Sequence, residues 1–154
     1  MSIREIRWKR GDVELVLDPD RRALVPLLRQ TALDRTFVNV IEFPIGVAFD
    51  GAFIWVTDAG GKSVSKISTA TNAVVAIVGV GAFPNGIAFD GAFIWVTNLG
   101  SKTVSKIDIA TNTVVAMVGV GRFPFGVAFD GAFIWVTIEF SNTVSKIPAF
   151  ANYH

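Results

Sequence analysis

Phe43-Pro44-Ile45-Gly46-Val47-Ala48-Phe49-Asp50-Gly51-Ala52-Phe53-Ile54-Trp55-Val56-Thr57 returns almost unchanged at 83–97 and again at 123–137, a period of 40 residues. A later segment recurs with the same period: Ser63-Val64-Ser65-Lys66-Ile67, then Thr103-Val104-Ser105-Lys106-Ile107, then Thr143-Val144-Ser145-Lys146-Ile147. The first two copies continue into Val-rich runs at 71–80 and 111–120. Repeats of about 40 residues signal an array of supersecondary units, so the fold follows from what one unit forms.

Each unit divides into four short segments rich in Val, Ile, Phe, Trp and Thr, separated by turn residues. In the second copy the strands are expected at 86–90, 92–98, 103–107 and 113–118. The Asp90-Gly91 pair between the first two favours a tight hairpin, because both residues tolerate positive φ. Consecutive large apolar residues in Phe93-Ile94-Trp95-Val96 require cover on both faces, the environment of a sheet sandwiched between two others. The chain is therefore expected to be all-β, a β-propeller of about three four-stranded blades.

The motif Pro-x-Gly-Val/Ile-Ala-Phe-Asp-Gly-Ala-Phe-Ile-Trp-Val-Thr, followed by Thr-Val-Ser-Lys-Ile, resembles the repeat of the YVTN-type bacterial β-propellers. It is more loosely similar to the NHL and streptogramin lyase propellers. The resemblance covers residues 43–147 and implies the fold, while that superfamily contains binding proteins, sugar-binding domains and a few enzymes. The lyases are expected to use a histidine in the central site, and these repeats contain none.

The blades are expected at 43–82, 83–122 and 123–147, the last ending early because Pro148 and the tail 148–154 have no counterpart of the Val-rich fourth strand. Residues 35–42 occupy the place that 75–82 occupy before the second copy, and their alternating apolar residues suit the missing outer strand. Three blades are too few to close a ring, since propellers need about 4–8. The expectation is a homo-oligomer, foremost a dimer of six blades in which each chain gives its N-terminal strand to the other. A nine-bladed trimer and a four-bladed monomer using residues 1–34 are the alternatives. Residues 1–34 hold seven of the 14 basic residues and do not match the repeat. They are expected to form an appendage, a hairpin around Arg10-Gly11-Asp12 followed by a short helix from Asp18 and Pro19.

Composition bounds the chemistry. The 154 residues are 51% hydrophobic with 18% charged, enough for a substantial core, and the formal charge of +1 offers no basic field for nucleic acid. No Cys is present and the one His is residue 154, which leaves no thiolate metal site, cysteine nucleophile or Ser-His-Asp set. No cofactor, metal or catalytic residue is expected. The absence of an apolar signal-like start or a run of about 20 apolar residues leads to the expectation of a cytoplasmic protein with no membrane contact.

Trp55, Trp95 and Trp135 are expected to pack between blades, and Asp50, Asp90 and Asp130 to cap their own hairpins. Lys66, Lys106 and Lys146 are expected to face solvent. The copies differ mainly at 45, 85 and 125 and at 58–61, 98–101 and 138–141, two sets of positions that strand alternation puts at one end of the blades. That end is the candidate binding face for a protein or small ligand, with Asn85, Phe125, Asp58, Asn98, Leu99, Glu139 and Phe140 as its informative residues. The favoured reading is a non-enzymatic, self-assembling scaffold. The alternatives are a lyase or carbohydrate-processing enzyme and a sugar-binding propeller.

Overall fold

The computed structural model describes residues 7–10, 13–18, 23–26 and 35–150, with side chains from 35 onwards. The chain divides into two compact units, Met1–Phe37 and Val38–His154. In the first unit β1 (Arg7–Arg10), β2 (Val13–Asp18) and β3 (Ala23–Pro26) form an antiparallel sheet in the order β1-β2-β3. β1 and β2 pair with Arg10 opposite Val13, while residues 11 and 12 of the expected turn lie outside the described residues. The expected helix does not occupy 23–26, because Ala23, Leu24 and Val25 pair instead with Asp18, Leu17 and Val16. A stretch closed by Pro26 is better suited to the end of an edge strand than to a helix interior.

The second unit follows the repeat. Its first sheet contains β4 (Pro44–Phe49), β5 (Phe53–Asp58), β6 (Ser63–Ser68) and β7 (Val74–Gly79). The second contains β8 (Pro84–Phe89), β9 (Phe93–Asn98), β10 (Thr103–Asp108) and β11 (Thr113–Gly119). The third contains β12 (Pro124–Phe129), β13 (Phe133–Ile138) and β14 (Thr143–Pro148), with one 3-10 turn at Glu139–Ser141. Every sheet is an antiparallel meander in chain order, and β14 has no strand on its outer side among the described residues. The expected outer strand at 35–42 is not paired in this chain, since the described residues 35–40 form no ladder.

Each first hairpin turns through Gly51, Gly91 or Gly131 at φ of 99, 98 and 104°, a conformation that only glycine adopts without strain. The preceding aspartate locks the turn: Asp90 Oδ1 accepts from the Ala92 and Phe93 amides at 2.9 and 2.7 Å, and Asp50 and Asp130 do the same. The core lies between the sheets. Trp55, Val64 and Val78 of the first sheet pack with Ile94, Val96 and Ile107 of the second. Trp95 and Val104 of the second pack with Ile134, Val136 and Ile147 of the third. Alternation along the strand therefore gives each sheet a leading face, built on the Ile and Val of Phe-Ile-Trp-Val, and a trailing face built on the Trp and Thr.

Candidate functional site

The trailing face is a bonded surface as well as an apolar one. Trp55 and Trp95 are fully buried, and their indole N–H groups donate to the second carboxylate oxygen of Asp50 and Asp90 at 2.8 and 2.7 Å. A buried indole needs such a partner, so the hairpin aspartate serves the turn with one oxygen and the inter-sheet contact with the other. The expectation of outward-facing lysines is corrected here. Lys66 and Lys106 are buried and lie over the rings of Phe53 and Trp55, and of Phe93 and Trp95, at 4.1 to 5.1 Å. Lys66 Nζ then reaches the next sheet, donating to the Ile109 carbonyl at 2.8 Å and Asn112 Oδ1 at 2.9 Å, while Lys106 Nζ donates to the Ala149 carbonyl at 2.9 Å. Burial lowers the Lys106 pKa, with the Asp90 carboxylate opposing the shift.

A third tie lies at the first strands. Thr57 Oγ1 accepts from the Gly46 amide at 2.7 Å and donates to the Asn85 carbonyl of the next sheet at 2.9 Å. Thr97 repeats this between Gly86 and Phe125, at 2.8 Å on both sides. The strands approach so closely here that a Cβ on Gly86 would stand 2.3 Å from the Phe125 carbonyl oxygen.

On the third sheet the same trailing residues are uncovered. Trp135 is 38% exposed, Val144 is 55% exposed, and Thr137 and Lys146 are exposed. Thr137 still accepts from the Gly126 amide, Trp135 still donates to Asp130, and Lys146 still lies over Phe133 and Trp135. A cavity of about 350 Å³ bordered by Phe125, Thr137 and Glu139 opens on this face. At the opposite end, the leading face of the first sheet is uncovered, with Val47 and Phe49 67% and 54% exposed.

The two variable sets do meet at one end of the sheets. Pro84 lies opposite Asn98, and the Leu99 amide donates to the Phe83 carbonyl at 3.0 Å, as Ala59 does to Phe43 and Glu139 to Phe123. Phe125, Glu139 and Phe140 are exposed there, and Asn85 and Leu99 are half-buried. Asp58 and Asn98, expected on the binding face, are corrected to buried positions: each is the last residue of its strand, β5 or β9, and its side chain is turned inward. Asn98 Nδ2 donates to Thr103 and Ser105, and its Oδ1 accepts from the Gly81 amide at 3.1 Å. Asp58 Oδ2 accepts from Ser65 at 2.7 Å, while its buried Oδ1 has no hydrogen-bond partner.

Phe43, Phe83 and Phe123 were not among the expected site residues, yet they belong to the same end. Their φ angles of 48, 49 and 59° are unusual for a bulky residue, above all before a proline, and Phe43 and Phe83 are largely exposed. Phe140 packs edge-on against Phe123, ring centres 4.3 Å apart, with Arg122 also over the Phe140 ring. Their constancy across all three copies was the available signal, but it reads equally as a packing position.

No family model and no curated protein matches the sequence. Solved structures do match. The Kuenenia stuttgartiensis hydrazine synthase aligns with a TM-score of 0.66 at 25% identity over 76% of this chain and 36% of that one. A streptogramin B lyase aligns at 0.56 and 17% identity over 92% of this chain and 49% of that one. The fold is that of a β-propeller. The computationally designed Ika4 protein is also similar to this propeller chain, at 0.63 and 14% identity over 96% of this chain and 87% of Ika4. The chain thus spans half or less of the first two. The three sheets of the second unit are propeller blades, and no helix among the described residues is long and apolar enough to cross a membrane.

Proposed function

We propose that the chain is a non-enzymatic, self-assembling β-propeller scaffold in which two copies close a six-bladed ring. One end of that ring, bearing Phe125, Leu99, Glu139 and Phe140, offers a face for a protein or small ligand. One observation carries the reading: the uncovered trailing face of the third blade and the uncovered leading face of the first are the two halves of an interface that the chain builds twice within itself. The residues are the same by repeat. Phe133, Trp135, Thr137, Val144 and Lys146 belong to the open trailing face, and Val47, Phe49, Ile54 and Val56 to the open leading face. Exposed apolar faces of this extent are unfavourable in water, and a second copy supplies the cover on both ends at once with twofold symmetry.

Position by position, Lys146 would donate to the carbonyl of the partner's Thr69 and to the side chain of the partner's Asn72, as Lys66 does to Ile109 and Asn112. Thr137 would donate to the carbonyl of the partner's Ile45, as Thr57 does to Asn85. The buried lysines and the three hairpin aspartates are engaged in this packing rather than gathered into a reactive site. Light scattering coupled to size exclusion tests the reading. Twice the chain mass is expected, and a stable monomer or a trimer overturns the six-bladed ring.

A further inference from the structure

Among the described residues the third blade has no strand beyond β14, and residues 36–40, with the alternating apolar pattern of an outer strand, pair with no strand. We infer that these residues of one copy pair with β14 of the other in a defined register, so that the ring is fastened by reciprocal strand exchange. The inference rests on the two-copy ring proposed above and specifies which atoms join it.

Three observations converge. The first is the ladder already present twice. Val64 opposes Val78 and Ser65 opposes Ile77 in the first blade, and Val104 opposes Val118 and Ser105 opposes Met117 in the second. Shifting by the repeat length places Thr143 opposite Asn39 of the partner subunit, Val144 opposite Val38 of the partner subunit, and Ser145 opposite Phe37 of the partner subunit. The apolar pattern agrees with that register: Val78 is buried while Ile77 and Met117 are outward, which suits an inward Val38 and an outward Phe37. The Val80 and Val120 amides donate to the carbonyls of Lys62 and Lys102, residues at positive φ. Asn142 stands at the same place with φ of 53°, its carbonyl set to accept from the amide of the partner's Val40.

The second observation is connectivity. The fourth strand of each complete blade runs through 80–82 or 120–122 directly into the first strand of the next blade. Residues 36–42 stand in the same relation to β4, so their strand belongs to the blade that precedes the first one. In the ring that blade is the third blade of the other copy.

The third is the orphaned oxygen of Asp58. Asn98 Oδ1 accepts from the amide of Gly81, a residue on the exit path of a properly seated fourth strand. Asp58 Oδ1 is buried without a partner, and the residue 40 positions before Gly81 is Ile41. Seating residues 36–40 on a neighbouring β14 draws the Ile41 amide along the path that the Gly81 amide follows, and the orphan acceptor gains its donor. Burying a carboxylate oxygen without one is costly, so this satisfaction favours the exchanged strand over the unpaired one.

The chain has no cysteine, so introduced pairs report cleanly. In the full chain, Val38→Cys with Val144→Cys, oxidised under native conditions, is expected to give a disulfide-linked dimer on a non-reducing gel. Val38→Cys with Ser145→Cys aims the two thiols at opposite faces of the sheet and should stay largely unlinked. Should the first pair fail to fold, Asn39→Cys with Thr143→Cys samples the next rung of the same ladder. A dimeric mass with no register-specific link overturns the strand exchange while the two-copy ring stands. A monomeric mass, with or without a disulfide inside one chain, overturns both.

Discussion

At the scale of single residues, one aspartate per blade performs two tasks, and the second is invisible without the third dimension. Oδ1 closing the hairpin follows from Asp preceding Gly in the sequence; Oδ2 accepting from an indole five residues on depends on a strand geometry that returns the Trp ring to the turn. The bonds have an electrostatic consequence. At Asp50, burial raises the pKa, but donation from Trp55, Phe53 and Ala52, with the Lys66 charge, outweighs it and leaves the carboxyl below its ordinary value. At Asp130 the Trp135, Phe133 and Ala132 donors lower it, against a small burial effect and with help from Lys146. A native pKa below the unfolded one contributes stability that is complete above the unfolded value and is lost as pH falls through the native value. Urea melts taken from pH 5 downwards should therefore lose midpoint below the ordinary carboxylate range, and Asp50→Asn with Asp130→Asn should flatten that loss. The lysines show the limit of sequence reading at this scale. A Lys in Ser-Lys-Ile looks solvent-facing, and its true acceptor lies 43 residues away in another blade.

At the scale of elements, the repeat made strand number, order and hairpins legible, because an apolar run bounded by Asp-Gly or by Asn allows few alternatives. Strand ends were less legible. Asp58 and Asn98, expected on the binding face, close β5 and β9, where alternation along the strand turns their side chains inward. Likewise β3 was unreadable from a four-residue stretch whose pairing decides its state. The first strand of each blade carries a stricter demand than propensity, set by how near the next blade comes. At Gly86 an added methyl would meet a backbone carbonyl at 2.3 Å, whereas at Gly126 its nearest neighbour is Thr137 Oγ1 at 3.3 Å. Gly86→Ala must displace main chain and should destabilise the chain by about 1–3 kcal/mol. Gly126→Ala should be nearly neutral for the isolated chain yet weaken self-association, since the carbonyl of the partner's Ile45 would take the place that the Phe125 carbonyl takes beside Gly86. Thermal melts at low concentration, set beside sedimentation equilibrium, separate the two effects.

At the scale of the molecule, identical sequence in unequal surroundings is the property that makes assembly testable. Trp95 and Trp135 share their strand motif, their aspartate partner and their lysine neighbour, and differ in whether a blade follows. Trp95 is fully buried between two blades of its own chain, so Trp95→Ala leaves a cavity there and should cost about 3–5 kcal/mol of stability. Trp135 has 38% of its surface open in the single chain. If the third blade ended the structure, Trp135→Ala would be a mild surface change, and stability and mass would both be little altered. If the third blade is instead the internal interface waiting for its other half, the same substitution should leave the circular dichroism of the chain native while shifting its mass to that of a monomer. A third variant fixes the direction of the inference: Phe49→Asp places a charge on the opposite, leading face of the first blade, where the side chain is 54% exposed. In the proposed two-copy ring the trailing face meets the leading face at both seams, so either variant alone should leave that ring unable to form. Mixing the two variants should restore one seam, the one joining the unaltered trailing face to the unaltered leading face. A mixed sample showing an open heterodimer, with neither variant dimeric alone, is the outcome that face-to-face blade stacking requires; self-association unaffected by both substitutions would mean that these faces are not where copies meet.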